Sequence, residues 1–238
     1  MTNPTIPSKN PADDGSAAGV LRTIFRKQAM QMDGQLPAVV ISYDRSKNRA
    51  VVRPLISMLK TNMQPVPRAS IASVPVLALG GGGYVMTFPV KAGDLGWIEA
   101  SDRDISLFMQ SMQQTHPNAY RIHSFSDGRF VPDAFAKYVI NAEDNNAATL
   151  QSLDGSVRIA LDTNELRLTA PNIKINAGTL FQVTAPAIAL HQTGGGAGTT
   201  FTGSPVVMPD AIIGGVTQST HKHGGVQTGT GDTGTPHN

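Results

Sequence analysis

The sequence predicts an all-β protein built from two unlike parts, a small N-terminal barrel and a repetitive strand segment. Three observations carry that prediction: short apolar runs separated by turn residues between residues 35 and 120, strict apolar alternation from Ala148 onward, and a Gly-rich, almost uncharged end. Charge separates the parts as well, with 15 basic and 10 acidic residues in 1–140 against 4 and 7 in 141–238.

Residues 1–34 form the first element, a mobile arm followed by a short helix. Ser16 is a plausible N-cap, and Ala17, Val20, Leu21, Ile24, Phe25 and Gln28 fall on one helical face that ends by Gly34. The apolar runs follow: AVVISY (38–43), the turn DRSKN (44–48), RAVVRPLI (49–56), SVPVLAL (73–79), YVMTFPV (84–90) and DLGWIEA (94–100). Short strands at this spacing suit a small barrel of the oligonucleotide/oligosaccharide-binding (OB) type over 35–120. Trp97 is expected in its core. The four glycines at 80–83 lack the Gly-Lys-Ser/Thr of a phosphate loop and are expected to form a hairpin or loop. A connector, 121–147, leads out of the barrel, and residues 103–112 form a short helix.

From residue 148 to 218 the side chains alternate with period two, which places one face of each strand inward. Val157, Ile159 and Leu161 begin a series continued by Leu166 and Leu168, Ile173 and Ile175, Phe181 and Val183, and Ile188 and Leu190. The groups recur every seven to nine residues with turn residues at the corners, a solenoid-like repeat. Each rung carries too few apolar side chains to close a core alone. Three chains around an axis would bury them and leave Arg158, Asp162, Arg167, Asn172 and Lys174 outside; half of an ordinary sandwich satisfies the same pattern. Phe181 is the largest inward side chain and is expected to pack on the axis.

Residues 219–238 hold the most specific local motif, STHKHGGVQTGTGDTGTP. His221 and His223 lie two apart, so an extended backbone projects both imidazoles to one side, half of a metal site. Three such pairs on an axis would supply six nitrogens, a count that favours an octahedral ion such as iron over tetrahedral zinc. A solvated loop is the ordinary alternative. The following glycines let the chain turn at a narrow tip.

With those residues in view, the sequence resembles the central spike proteins of contractile-tailed bacteriophages. LPAVVISYDRSKNRAVVRPLI (36–56), FPVKAGDLGWIEASDRDI (88–105) and HSFSDGRFVP (123–132) resemble the family's barrel, and THKHGGVQTGTGDTG (220–234) resembles its apex. The resemblance implies an intertwined trimeric, triangular β-helix after the barrel, with one iron ion per homotrimer held by His221 and His223 at the three-fold axis. It also implies a virion protein at the tip of the tail baseplate. The barrel end would attach to the hub or tail tube, and the tip would pierce the host outer membrane. His116, His123, His191 and His237 match no ligand position and are expected to be ordinary polar or core residues.

Composition limits the competing functions. The chain has 238 residues, a formal charge of +2 and no cysteine, so disulfides, thiolate chemistry and a zinc ribbon are excluded. No apolar run is long enough to span a membrane, and the Pro-rich, polar start does not read as a secretory signal. A cell-envelope polysaccharide or peptidoglycan hydrolase would need paired carboxylates. Asp154, Asp162 and Glu165 are the candidates, all at predicted corners where solvated turn residues belong. Nucleic-acid binding is prompted by Arg45, Lys47, Arg49 and Arg53, but only Tyr43 offers a stacking ring among them, so no nucleic-acid partner is expected. The sequence therefore points to a non-enzymatic structural protein.

Overall fold

A computed structural model describes residues 15–60, 64–190, 211–213 and 216–220. They are mostly β, with few helices. Helix α1 (Ala17–Gln31) starts where predicted: Ser16 is extended and its hydroxyl accepts a 3.0 Å hydrogen bond from the Gly19 amide, satisfying one of the free N–H groups of the first turn. It stops before Asp33, whose carboxylate pairs with Arg68 at 2.8 Å and accepts the Phe125 amide.

The first strands are β1 (Gln35–Asp44), β2 (Arg49–Pro54), β3 (Met58–Leu59), β4 (Pro65–Val66), β5 (Ile71–Pro75), β6 (Leu79–Gly81), β7 (Tyr84–Met86) and β8 (Leu95–Ser101). Helix α2 (Ser106–Ser111) and β9 (Ser124–Pro132) follow. Five of the strands form one antiparallel sheet in the order β5-β2-β1-β8-β9. Its outer strands nearly meet: Val76 bridges Phe130, and the Leu77 amide donates to the Phe130 carbonyl at 2.8 Å. The sheet is thus a barrel closed almost all the way round, with few free edges. Its fifth strand comes from the segment expected to be connector.

Alternation fills the barrel. Ala38, Val40, Val52, Ile98 and Phe130 are almost fully enclosed, and Phe130 is the largest side chain among them. Its ring lies over Gly96, where a Cβ would come within 2.5 Å of the ring and 2.3 Å of the Val131 carbonyl oxygen. Because Gly96 and Ile98 point inward, Trp97 must point outward. Its indole packs on Phe135 with ring centroids 5.3 Å apart and donates to Asp133 at 2.8 Å, so the expected core role of Trp97 is corrected to a half-buried place on the outer face.

Turn chemistry fits the corners. Asp44 accepts from the Ser46 amide and hydroxyl at 3.0 and 2.6 Å, and these bonds, the hydroxyl's first, hold its carboxyl below the usual range. The four glycines close the β6–β7 hairpin, where Gly82 and Gly83 take φ of +59° and +87°. The short helix near 103–112 is also present as α2, ending at Met112 in the left-handed region.

Strands β10 (Ala148–Gln151), β11 (Arg158–Leu161) and β12 (Leu166–Thr169) make a separate three-stranded antiparallel sheet. A single 3-10 turn at Ala142–Asp144 precedes it. The chain divides into two compact units at Lys174 and Ile175. In the second, β13 (Ile212–Ile213) pairs antiparallel with β14 (Val216–Thr217). Residues 170–190 carry no strand in the single chain, where the repeat predicts further rungs.

Candidate functional site

The residues that stand out are the two faces of the β10–β12 sheet. Its register aligns Leu150, Ile159 and Leu168 in one cross-strand row and Ala148, Leu161 and Leu166 in the next. These are β-forming or aliphatic side chains on one face, as period two requires. None of the described residues covers them: the five Leu and Ile side chains are 42–60% exposed.

The opposite face is sealed by charge. Ala160 is fully buried there, flanked by Arg158 and Arg167. Both guanidiniums converge on Asp144, whose side chain is inaccessible: Arg158 Nε lies 2.7 Å from Oδ2 and Arg167 Nη2 lies 2.8 Å from Oδ1. Glu143 adds an ion pair to Arg158, and Glu165 one to Arg167 at 2.6 Å. The Asp144 hydrogen bond, and then that of Glu165, raise the Arg167 pKa above its ordinary value. A buried carboxylate with two cationic partners is costly to leave half-made, so the 3-10 turn fixes which face of β11 and β12 stays inside the chain. The two arginines do lie opposite the apolar row, as the alternation requires, but they are folded onto a buried anion instead of standing free in water.

Asp144 is the buried organising residue that sequence reasoning missed. A signal existed: two arginines at alternate positions on a polar face call for a counter-charge, and Glu143 and Asp144 stand just upstream of β10.

Of the hydrolase candidates, Asp162 and Glu165 meet at one nitrogen of Arg167, Nη1, at 3.8 and 2.6 Å, while Asp154 belongs to a turn in which Ser152 and Ser156 donate to it. The Ser152 hydroxyl, followed by the Ser156 amide and hydroxyl, lowers the Asp154 pKa to about 2. These are structural ties. His116 Nδ1 contacts the Pro117 carbonyl at 3.2 Å and His123 lies 3.7 Å from Asp102, both ordinary polar settings. His191, His237 and the two candidate ligands His221 and His223 lie outside the described residues. Among the described residues no group of three or more His, Cys, Asp or Glu is placed to hold a metal, and no helix is long and apolar enough to cross a membrane.

In the barrel, a groove of about 470 Å³ runs beside α2, lined by Leu77, Ile105, Phe108 and Met109, with Glu99 and Arg129 paired at 2.8 Å. Outside the groove lining, two buried acids, Asp104 and Asp127, both face Arg121 at 3.0 and 2.9 Å. Ser106, first through its side chain and then through its amide, holds the Asp104 carboxyl below the usual range. One guanidinium thus serves two carboxylates, which leaves this cluster with a net negative charge.

Among the described residues, then, a nearly closed barrel is followed by a three-stranded sheet with one exposed apolar face. Residues 36–133, the barrel sheet almost end to end, match the family model described as Phage protein Gp138 N-terminal domain. The match supports a phage protein of the tail or baseplate type, a structural component of the virion. No curated protein sequence matches the chain significantly.

Proposed function

We propose that the protein is the non-enzymatic central spike of a contractile phage tail, a homotrimer that pierces the host outer membrane when the sheath contracts. The observation that carries this reading is the apolar row on β10–β12, open in one chain and backed by a sealed polar face. Burying five half-exposed Leu and Ile side chains is worth on the order of 1 kcal/mol each, multiplied over three chains. The same demand continues along the chain. Ile173, Ile175, Leu180, Phe181, Val183, Ile188 and Leu190 are 53–74% exposed and carry no strand of their own, as expected of rungs whose ladder partners belong to neighbouring chains.

In this reading residues 148–218 wind into a three-chain shaft, and Arg158, Arg167 and their acids form its outer skin. The barrel end faces the hub or tail tube. His221 and His223 of three chains would hold one iron ion at the tip, and the donor set fits: neutral imidazoles suit iron, and three pairs complete six positions. Such an ion would clamp chain ends that have no cysteine to cross-link them. The driving force comes from outside the chain, which carries no nucleotide-binding loop.

Sedimentation equilibrium combined with metal analysis tests the proposal. The expected result is a trimer with one metal ion per three chains, and a His221→Ala, His223→Ala variant that loses the metal yet stays trimeric. A monomer would overturn the spike reading; a trimer without metal would overturn the apex assignment alone.

A further inference from the structure

Helix α1 is a second unpartnered surface. Positions 17, 21, 24, 28 and 31 follow the 4-3-4-3 spacing of a coiled-coil seam and are occupied by Ala17, Leu21, Ile24, Gln28 and Gln31, none charged. Val20 and Phe25 flank that seam on either side. The described residues leave this stripe open: Val20, Leu21, Ile24 and Phe25 are 50–71% exposed, whereas the one buried residue of the helix, Gly19, lies on the far side. Arg22, Arg26 and Lys27 are off the seam, and no acidic residue occurs from Gly15 to Met32.

We propose that the α1 helices of three copies pack in parallel through this seam, forming a short three-helix bundle ahead of the barrels. The inference rests on the three-chain reading above. Parallel orientation follows from it, because all copies run in the same direction from helix to shaft. In a parallel bundle the residue before a seam position meets the residue five further on in the neighbouring helix, which brings Val20 of one copy onto Phe25 of the next. The flanking apolar residues are thereby covered as well as the seam itself. Gln28 and Gln31 meet around the axis, where carboxamides hydrogen-bond one another. A lipid surface would have to strip water from the same two groups without replacing it. The arginines stay outside, so like charges are kept apart. A helix of 15 residues is too short to associate strongly by itself, and the shaft supplies the missing concentration by tethering the copies.

The native chain has no cysteine, which makes single labels clean. Full-length Gln28→Cys and, as an outward-facing control, Arg26→Cys are labelled with pyrene maleimide, with sedimentation run on the same samples. The expected result is a trimer whose Gln28→Cys sample shows a severalfold higher excimer-to-monomer emission ratio than the control. Mild oxidation of the unlabelled variants checks for disruption by the dye: Gln28→Cys should give covalent dimers on a denaturing gel and Arg26→Cys should not. A trimer with equal emission and equal cross-linking from both positions would overturn the bundle while leaving the spike reading intact. A monomer without excimer would overturn both. Co-sedimentation of the unlabelled chain with phosphatidylglycerol vesicles, lost in Leu21→Gln and accompanied by no excimer, would replace the bundle with a lipid contact.

Discussion

The barrel and the three-stranded sheet solve the same problem in opposite ways. The barrel brings β5 and β9 together and encloses Phe130, Ile98 and Val52, so its edges and its apolar side chains are satisfied within one chain. The β10–β12 sheet encloses only Ala160, and it spends its polar side chains on sealing the face that does not carry the apolar row. A region that closes on itself can be read, folded and tested alone. A region that seals one face and leaves the other bare is what the proposed trimer would complete.

Changes that attack the bare face should have the largest effect. Ile159→Asp puts a charge in the middle of the row and, under the proposed trimer, should abolish assembly while the barrel keeps its fold. Sedimentation together with near-ultraviolet circular dichroism of Trp97 checks both halves of that statement; a trimer that persists would remove the row from the interface. Next comes the sealed face. Asp144→Ala removes the buried carboxylate that Arg158 and Arg167 share and should cost about 3 kcal/mol in the sheet, by the usual penalty for breaking a buried ion pair. Thermal melts should show the loss, with Asp144→Asn intermediate because it retains an acceptor.

The smallest effect concerns Asp154. Its folded pKa of about 2 lies below the ordinary 3.8, so its contribution to stability is fully present above that ordinary value and is lost as pH falls through about 2. Ser152→Ala removes the leading cause of the depression. It should raise the Asp154 pKa toward the ordinary value, measured by carboxyl chemical shifts, and narrow the difference in melting temperature from wild type as pH drops between 4 and 2. An unchanged pKa would mean that Ser156 alone holds the turn.

The barrel was legible wherever apolar runs were uninterrupted, as in β1, β2, β5 and β8. The apolar pattern did not show strand β9, because Asp127 and Gly128 stand in its middle, and only the family resemblance of 123–132 placed it with the barrel. The inward carboxylate of Asp127 is paired with Arg121, six residues upstream, a tertiary fact that periodicity does not carry. Trp97 was misplaced for a related reason: its size suggested the interior, but the register that puts Phe130 over Gly96 decided the matter. In the second half the alternation correctly separated the apolar row from Arg158 and Arg167. It was silent on Asp144, which comes from a turn outside the period. The candidate ligands His221 and His223 rest on spacing and on the family resemblance.

One feature of the barrel bears on how such an object could withstand a blow. The polypeptide enters at Gln35, paired with Glu99 near the end of β8, and departs at Pro132, paired with Gly96 near its beginning. Under the proposed spike function, a thrust delivered at the entrance would cross the domain along hydrogen-bonded strands laid side by side, sharing the strain among many short ladders instead of one loop.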